Sequence, residues 1–307
     1  MKKGIHALRG FVQKGLERMS NKRDEILIQV SPCEMADIED FVREHMQGFA
    51  YHLDSWPEER LVDHQKYLIR VAGQRAGYAV IQDRSIEYFY VNQENFRKAS
   101  LILESLIKEK DILSIFVMTQ DSLVSALVAE WDYDKEMVSC GFADAGKGIR
   151  QEVLDEGETF RKAALKDLEG IVKMSGDFFD EPGAGYGSLE ERIEAGIIFV
   201  LTEKEKLMGA GIMERSQLFK GTVSIGMYTS ADFRKKGVAR KILLNLKNQA
   251  YDQGLRPVAG CWYYNTLSRM SLEASGMLVT SVGFLAMLKN KEILPLRTGN
   301  PPGEPVE

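Results

Sequence analysis

The sequence contains few of the residues and runs that mark several common protein classes. Its 307 residues include three cysteines, Cys33, Cys140 and Cys261, too few and too widely spaced for a disulfide framework or a metal knuckle. A reducing cytoplasm is therefore the expected location. No apolar run approaches the roughly 20 residues that span a bilayer, so no integral membrane segment is expected. The four histidines lie in the first half without metal-ligand spacing, and no metal site is predicted.

Charge is distributed unevenly along the chain. The net charge is -5, but residues 1–23 carry seven basic side chains and one acid, which leaves -11 on the rest. Such an acidic body is unsuited to general nucleic-acid binding, and no nucleic-acid partner is expected. The apolar residues of the basic segment recur at helical spacing, which predicts an amphipathic helix. This helix could dock on the acidic body or lie on anionic lipid.

Hydrophobic periodicity predicts the same order of elements twice, β-α-α-β-β-β-α-β-α-β. The segment Asn95-Phe96-Arg97-Lys98 follows the fourth strand of the first half, and Asp232-Phe233-Arg234-Lys235 follows the matching strand of the second, 137 residues later. A shared segment in the same place of a shared order favours a duplicated domain. A glycine-containing linker is predicted at 143–157, and a proline-rich, extended tail at 293–307.

Two common phosphate-binding patterns, G-x-x-x-x-G-K-[ST] and G-x-G-x-x-G, are absent. Instead, Arg234, Gly237 and Ala239 form R-x-x-G-x-A between an apolar strand and the long amphipathic helix predicted at 236–253. A helix N-terminus presents unpaired N–H groups and the positive end of a dipole, and small residues let an anion approach the backbone. Further positive charge comes from Lys235, Lys236 and Arg240. The pattern therefore indicates a pyrophosphate site.

This segment, with its strand before and helix after, resembles the acetyl-CoA motif of the GCN5-related N-acetyltransferases (GNAT). The stretch Asn265-Thr266-Leu267-Ser268 resembles the family's N-x-x-S/A segment, and Gly276-Met277 takes the place of its closing G-F. The resemblance covers roughly residues 158–290. With the duplicated order, it implies an α/β tandem GNAT protein whose two domains each have a central mixed β-sheet flanked by helices. Residues 24–145 would be a degenerate domain and residues 158–292 the acetyl-CoA-binding one.

The resemblance also implies roles for individual residues. Backbone groups of Met227 and Thr229 would pair with the pantetheine arm, and an N–H near Tyr228 would polarise the thioester carbonyl. Asn265 would contact the cofactor beside Ser268, although Asn265 could equally cap a helix. The backbone amides that would hold the pyrophosphate belong to Lys235, Lys236, Gly237, Val238, Ala239 and Arg240.

The catalytic groups are less clearly indicated. A protonated amine must lose a proton before it attacks a thioester. Glu214 is the first candidate for the base, ahead of Asp232 and Tyr263, although Glu214 could also be a solvated strand end. Leu272 stands where the family often has a tyrosine that protonates the leaving thiolate. In its place Ser268, Ser271, Tyr263 or water would act, or the thiolate would leave without an acid.

The first half departs further from the family pattern. At the 137-residue offset, Ser100 replaces Gly237 and Ile102 replaces Ala239, and Ile102 would crowd a phosphate. We therefore expect only the second half to bind the cofactor. An acidic rim at Asp177, Asp180 and Glu181 would attract a cationic amine. The function indicated is a bacterial-type N-acetyltransferase, a monomer or homodimer, with an amine acceptor of unknown identity. The alternative is a non-catalytic acyl-CoA sensor or protein-interaction module.

Overall fold

The computed structural model describes residues 27–129, 131–145, 154–176, 178–179 and 188–289. The expectations for the basic segment at 1–23, for the acidic rim at Asp177, Asp180 and Glu181, and for the tail at 293–307 lie outside these ranges. The predicted order of strands and α-helices is found in both halves. Among the described residues, no helix is both long enough and apolar enough to cross a membrane.

Within the described residues, the first half has six strands and four α-helices. Short 3-10 turns at Met35–Asp37 and Gln93–Lys98 precede α1 and α3. The elements are β1 (Ile28–Cys33), α1 (Glu39–Gln47), α2 (Ser55–Asp63), β2 (Gln65–Val71), β3 (Gln74–Gln82), β4 (Ser85–Val91), α3 (Ala99–Glu109), β5 (Ser114–Met118), α4 (Ser122–Ala129) and β6 (Tyr133–Asp144).

The second half repeats this order. Its 3-10 turns, Leu165–Asp167 and Ala231–Phe233, again precede the first and third helices. The elements are β7 (Glu158–Lys162), α5 (Leu168–Ser175), α6 (Leu189–Glu194), β8 (Ile198–Glu203), β9 (Lys206–Arg215), β10 (Thr222–Thr229), α7 (Val238–Asp252), β11 (Arg256–Trp262), α8 (Thr266–Ala274) and β12 (Met277–Leu288).

Helix α2 differs from its prediction at both ends. The periodicity extends a helix from Ser55 to Leu68 with Ser55 as its N-cap, but Asp54 is the cap and accepts a hydrogen bond from the Trp56 N–H (3.2 Å). The helix ends at Asp63 because residues 65–71 pair with β1 and β3. Strand pairing, which the local pattern does not contain, overrides the helical spacing there.

The strands form one continuous sheet of twelve in the order β1-β2-β3-β4-β5-β12-β6-β11-β10-β9-β8-β7. The last strand of each half lies between strands of the other, since β12 pairs with β5 and β6 pairs with β11. These two exchanged strands also pair with each other along most of their length. The two predicted sheets are thereby joined into one. The predicted linker at 143–157 begins later than expected, because residues 143 and 144 belong to β6.

The connection between β9 and β10 docks on helix α2. The buried carboxylate of Glu58 accepts hydrogen bonds from the Ser216 hydroxyl (2.6 Å) and from the backbone N–H groups of Gln217 and Leu218 (3.0 Å for Leu218). His52 stacks on Phe219 with ring centroids 4.3 Å apart. These contacts hold the first turn of α2 against the second half.

Helix α7 packs closely on the second half of the sheet because β9 contains glycines beneath it. A Cβ on Gly211 would lie 2.8 Å from Ile242 Cγ2 and 2.9 Å from Leu246 Cδ1, both in α7. Ile242, Leu243 and Leu246 are fully buried in the core that this helix shares with β9, β10 and β11. The glycine-bearing strand therefore fixes where the N-terminus of α7 lies relative to the end of β10.

Candidate active site

Strands β10 and β11 separate after a short stretch of pairing. They are parallel neighbours only from Thr222 opposite Arg256 to Ser224 opposite Val258. On its other edge, β10 stays paired with β9, where the Ser230 N–H donates to the Met208 carbonyl (3.0 Å). Because strand peptides alternate in direction, the peptide groups of Met227 and Thr229 face the gap. The edge of β10 is thus open to an extended ligand, in the place the sequence predicts.

A cavity of about 300 Å³ lies at this gap and is lined by both halves of the chain. On the side of α7 and α8 its walls include Met227, Leu243, Cys261, Asn265, Ser268 and Leu272. On the opposite side they include Asp54, Trp56 and Glu59 from the first half, with Phe178, Arg192 and Glu214 from the second. The cavity therefore joins the gap between β10 and β11 to a compartment on the other side of the sheet.

The start of α7 has the backbone conformation that an anion site needs. Gly237 is its N-cap with φ +76°, Lys235 has φ +61°, and nothing lies within 4 Å of a Cβ built on Gly237. The first bond within the helix runs from the Lys241 N–H to the Gly237 carbonyl (3.0 Å), so the N–H groups of Val238, Ala239 and Arg240 point out of the helix end.

The basic side chains around this turn divide into two sets. Arg234, Lys235 and Lys236 are exposed beside the turn. The Arg240 side chain turns away, and its Nε donates to the Ala274 carbonyl at the end of α8 (2.9 Å). The Nε–H of Arg240 is thus engaged by a carbonyl, whereas the prediction that its charge surrounds an anion stays a prediction.

The segment after β11 has the geometry of a helix cap beside the cavity. Asn265 caps α8, and its side chain accepts a hydrogen bond from the Ser268 N–H (3.1 Å). Both residues line the cavity, so capping and ligand contact are compatible. Leu272 is 2% exposed and also lines the cavity. The position at which the GNAT pattern often has a tyrosine is therefore an apolar wall of the cavity in this protein.

Three of the predicted catalytic side chains lie away from the cavity lining. The Tyr228 ring packs against Phe178 with centroids 5.3 Å apart, and the Tyr228 peptide pairs with β9. Tyr263 packs beside Tyr264 and the core of the second half. Asp232 is exposed, 3.9 Å from Lys206. An N–H directed at a thioester would therefore come from Met227 or Thr229 rather than from Tyr228 itself.

Glu214 does lie in the cavity, and it is not a solvated strand end. It is 6% exposed, its Oε1 is 3.7 Å from Nη1 of the buried Arg192, and this oxygen has no hydrogen-bond partner among the described residues. Burial raises the pKa of its carboxyl group, an effect that the charge of Arg192 partly opposes. A buried carboxyl group whose pKa is raised is a suitable candidate for proton transfer.

Asp54 and Glu59 are two further acids in the cavity that sequence reasoning missed. Burial raises the pKa of Asp54 to about 6, and burial with the neighbouring charge of Glu214 raises that of Glu59 to about 7. The thiol of Cys261 is a poor nucleophile, because burial raises its pKa to about 12. In the described ranges, no three His, Cys, Asp or Glu side chains are grouped to hold a metal ion.

Comparisons with known proteins identify a family domain in the first half of the chain. Residues 34–145 match the family model described as an acetyltransferase (GNAT) domain. The first half of this chain therefore contains a GNAT acetyltransferase domain. An acetyltransferase domain supports acyl transfer in general. No curated protein matches this chain.

Solved structures share the GNAT fold across both halves. A GNAT-family acetyltransferase from Colwellia psychrerythraea is 19% identical with a TM-score of 0.71, covering 85% of this chain and 100% of its own. A GCN5-related N-acetyltransferase from Sphaerobacter thermophilus is 14% identical with a TM-score of 0.56, covering 85% and 95%. A tandem GNAT protein of the clavulanic acid pathway is 10% identical with a TM-score of 0.54, covering 85% and 98%. At these identities the likeness shows the fold.

The GNAT helix start of the first half differs in shape from that of the second. A six-residue 3-10 turn, Gln93–Lys98, runs directly into α3, where the Ala99 N–H donates to the Phe96 carbonyl. No described residue from 92 to 101 has a positive φ. Ile102 is fully buried in the core, in the fourth helical position, so the prediction that it crowds a phosphate is wrong. The turn itself occupies the N–H groups that an anion would need.

Proposed function

We propose that this protein is an acetyl-CoA-dependent N-acetyltransferase that acetylates a primary amine in the cavity of its second half. The observation that carries the proposal is the opening between β10 and β11, which has an uncovered strand edge along one side and the N-terminus of α7 at its mouth. The three unpaired cysteines favour a cytoplasmic location.

The residues at this opening fit coenzyme A in charge and shape. The N–H groups of Val238, Ala239 and Arg240, next to the open space at Gly237, would hold the diphosphate, with Arg234, Lys235 and Lys236 around it. The peptide groups of Met227 and Thr229 would pair with the pantetheine arm. Asn265 and Ser268 line the inner part of the same cavity. When bound, the cofactor supplies the acetyl thioester that is the electrophile.

The acceptor amine would enter from the side of the sheet opposite α7. Its ammonium form must lose a proton, and Glu214 is the carboxylate we assign to this task, because it lines the cavity and its buried Oε1 accepts no hydrogen bond from the described residues. Arg192 then holds Glu214 in place and limits the rise in its pKa. Leu272 cannot donate a proton, so we assign protonation of the leaving thiolate to Ser268, which lines the cavity beside Asn265.

The cofactor assignment is tested at Gly237. We expect Gly237→Asp to weaken coenzyme A binding at least tenfold in calorimetry, because the new carboxylate faces the diphosphate. Gly237→Asn isolates the charge, since asparagine has nearly the same shape and tolerates a positive φ. Gly254→Asp is the matched control at the other end of α7, where the glycine also has a positive φ and open space. Equal affinity in the Asp and Asn variants at position 237 would place the cofactor elsewhere.

A second candidate function is a catalytically silent acyl-CoA sensor. The buried Leu272 favours it, because this residue leaves an apolar wall where the family often has a tyrosine. Release of free thiol from acetyl-CoA across a set of amines separates the two functions. Binding of acetyl-CoA without thiol release would favour the sensor.

A further inference from the structure

We propose that the acceptor is an amine with a second positive charge, and that Glu59 of the first half binds this distal charge while Glu214 faces the reacting nitrogen. The inference rests on the proposed acetyl transfer and specifies its substrate class. It also gives the first half a role in the reaction that does not require a cofactor of its own.

Helix α2 places three side chains of the first half in the cavity. The Ser55 N–H and hydroxyl contact the Ser224 hydroxyl of β10 at 3.2 and 3.3 Å, which brings this face of α2 to the gap. Glu59 follows Ser55 by one helical turn and therefore lies on the same face. Asp54 precedes the helix, and Trp56 also lines the cavity. The buried Glu58 anchors α2 to the β9–β10 connection and fixes this placement.

The charge in this compartment favours a dication. Asp54, Glu59 and Glu214 line it, and Arg192 is the one basic side chain among its described lining residues. Arg192 is within ion-pair distance of Glu214, whereas neither Asp54 nor Glu59 forms an ion pair with a described residue. The carboxyl group of Glu59 and the second oxygen of Asp54 thus remain for a ligand, and a cation bound between them would offset the cost of their burial.

An unpartnered acceptor oxygen points to a ligand independently of the charge. Oε1 of Glu214 is buried and receives no hydrogen bond from the described residues. A buried carboxylate oxygen without a donor is costly, and an ammonium group, which carries three donors, would satisfy it. The cavity lining also includes Trp56, Phe179 and Ile212, whose apolar surfaces suit the methylene chain of a diamine.

The test compares three acceptors with six-carbon chains, diaminohexane, hexylamine and aminohexanoate, in which the distal group is cationic, neutral or anionic. We expect kcat/KM for the diamine to exceed that for hexylamine at least tenfold, with aminohexanoate the poorest. Glu59→Gln should reduce the ratio of diamine to monoamine about tenfold. Asp63→Asn is the matched control, because Asp63 lies one turn further along α2 and is exposed outside the cavity.

Calorimetric binding of diaminohexane to the coenzyme A-loaded protein separates this inference from the proposed function. Diamine binding that depends on Glu59, without acetyl transfer, would support the acceptor site and count against the enzyme. Acetyl transfer with no preference for the diamine, or with a preference for aminohexanoate, would overturn the inference and leave the enzyme intact. Absence of both binding and transfer would overturn both.

Discussion

The carboxyl group of Asp54 sits over a pair of glycines in the central strands. Gly260 of β11 and Gly141 of β6 lie opposite each other, and a Cβ on Gly260 would come within 2.6 Å of the Asp54 Cγ. A residue of the first half reaches the gap because these two positions lack side chains. Burial is unfavourable for the charged form of the Asp54 carboxyl group, and it raises the pKa of this group to about 6.

This cost predicts a pH-dependent gain in stability for Asp54→Asn. A carboxyl group whose pKa is raised on folding binds its proton more tightly in the folded state. Its charged form therefore lowers the free energy of unfolding, an effect that is absent below about pH 4 and grows as pH rises through 6. Asparagine keeps the acceptor for the Trp56 N–H but carries no charge. Urea unfolding should show the variant about 1–3 kcal/mol more stable than wild type at pH 8, with no advantage near pH 4. A pH-independent difference would contradict this origin.

The residues of the site were predictable to different degrees. Gly237 and the peptide edge of β10 could be predicted because their signal is local, a strand, a small residue and a helix in sequence. Asp54 and Glu59 could not, because they are separated from β10 by more than 160 positions and come together only through the sheet. No pattern in the first half distinguishes these two acids from the many surface carboxylates.

At the scale of elements, helix α7 is tied to an exchanged strand by a buried ion pair. Lys247 of α7 is 1% exposed, and its Nζ is 2.6 Å from Oδ1 of Asp144 in β6 and donates to the Ser275 carbonyl (2.8 Å). The Tyr251 hydroxyl donates to the other oxygen of Asp144 (2.6 Å). One strand of the first half thereby orients the helix whose N-terminus forms the predicted anion site.

Removing one partner of this pair should be strongly destabilising. We expect Asp144→Ala to lower the free energy of unfolding by about 3–5 kcal/mol, because it leaves the Lys247 charge buried without its carboxylate. The double variant Asp144→Ala with Lys247→Met should regain most of the loss. Glu39→Ala, which breaks the exposed pair with Arg43, should cost less than about 1 kcal/mol. If Asp144→Ala lowered the free energy of unfolding by as little as Glu39→Ala does, the ion pair of Lys247 with Asp144 would not be effectively buried.

The order of the elements followed from periodicity alone, because each strand and helix has one apolar side or a wholly apolar run. The hydrophobic pattern predicts strands at Thr222–Thr229 and Met277–Leu288, and these are the bounds of β10 and β12. The predicted end of α2 was wrong, because residues 65–68 fit helical spacing but form hydrogen bonds with both neighbouring strands. Local pattern thus identifies an element, whereas its ends depend on partners distant in sequence.

At the scale of the whole molecule, the exchange of β6 and β12 makes the two halves depend on each other. The neighbours of β6 in the sheet are β11 and β12, both from the second half, and β5 is completed by β12. No sequence pattern predicts this exchange, because each half alone has a full set of strands and could close its own sheet. The arrangement also explains how α2 of the first half comes to line a cavity of the second half.

The exchange predicts that the halves will not fold as separate proteins. A cut after residue 150 would leave fragment 24–150 with the long strand β6 unpaired on both edges and fragment 151–307 with β5 missing beside β12. We expect each fragment alone to lack a cooperative thermal transition by circular dichroism. Co-expressed fragments should form a one-to-one complex by size-exclusion chromatography and recover the transition. A monomeric 24–150 fragment that unfolds cooperatively would show instead that β6 can pair with β5, which would make the exchange one of two competing arrangements rather than a requirement of the sequence.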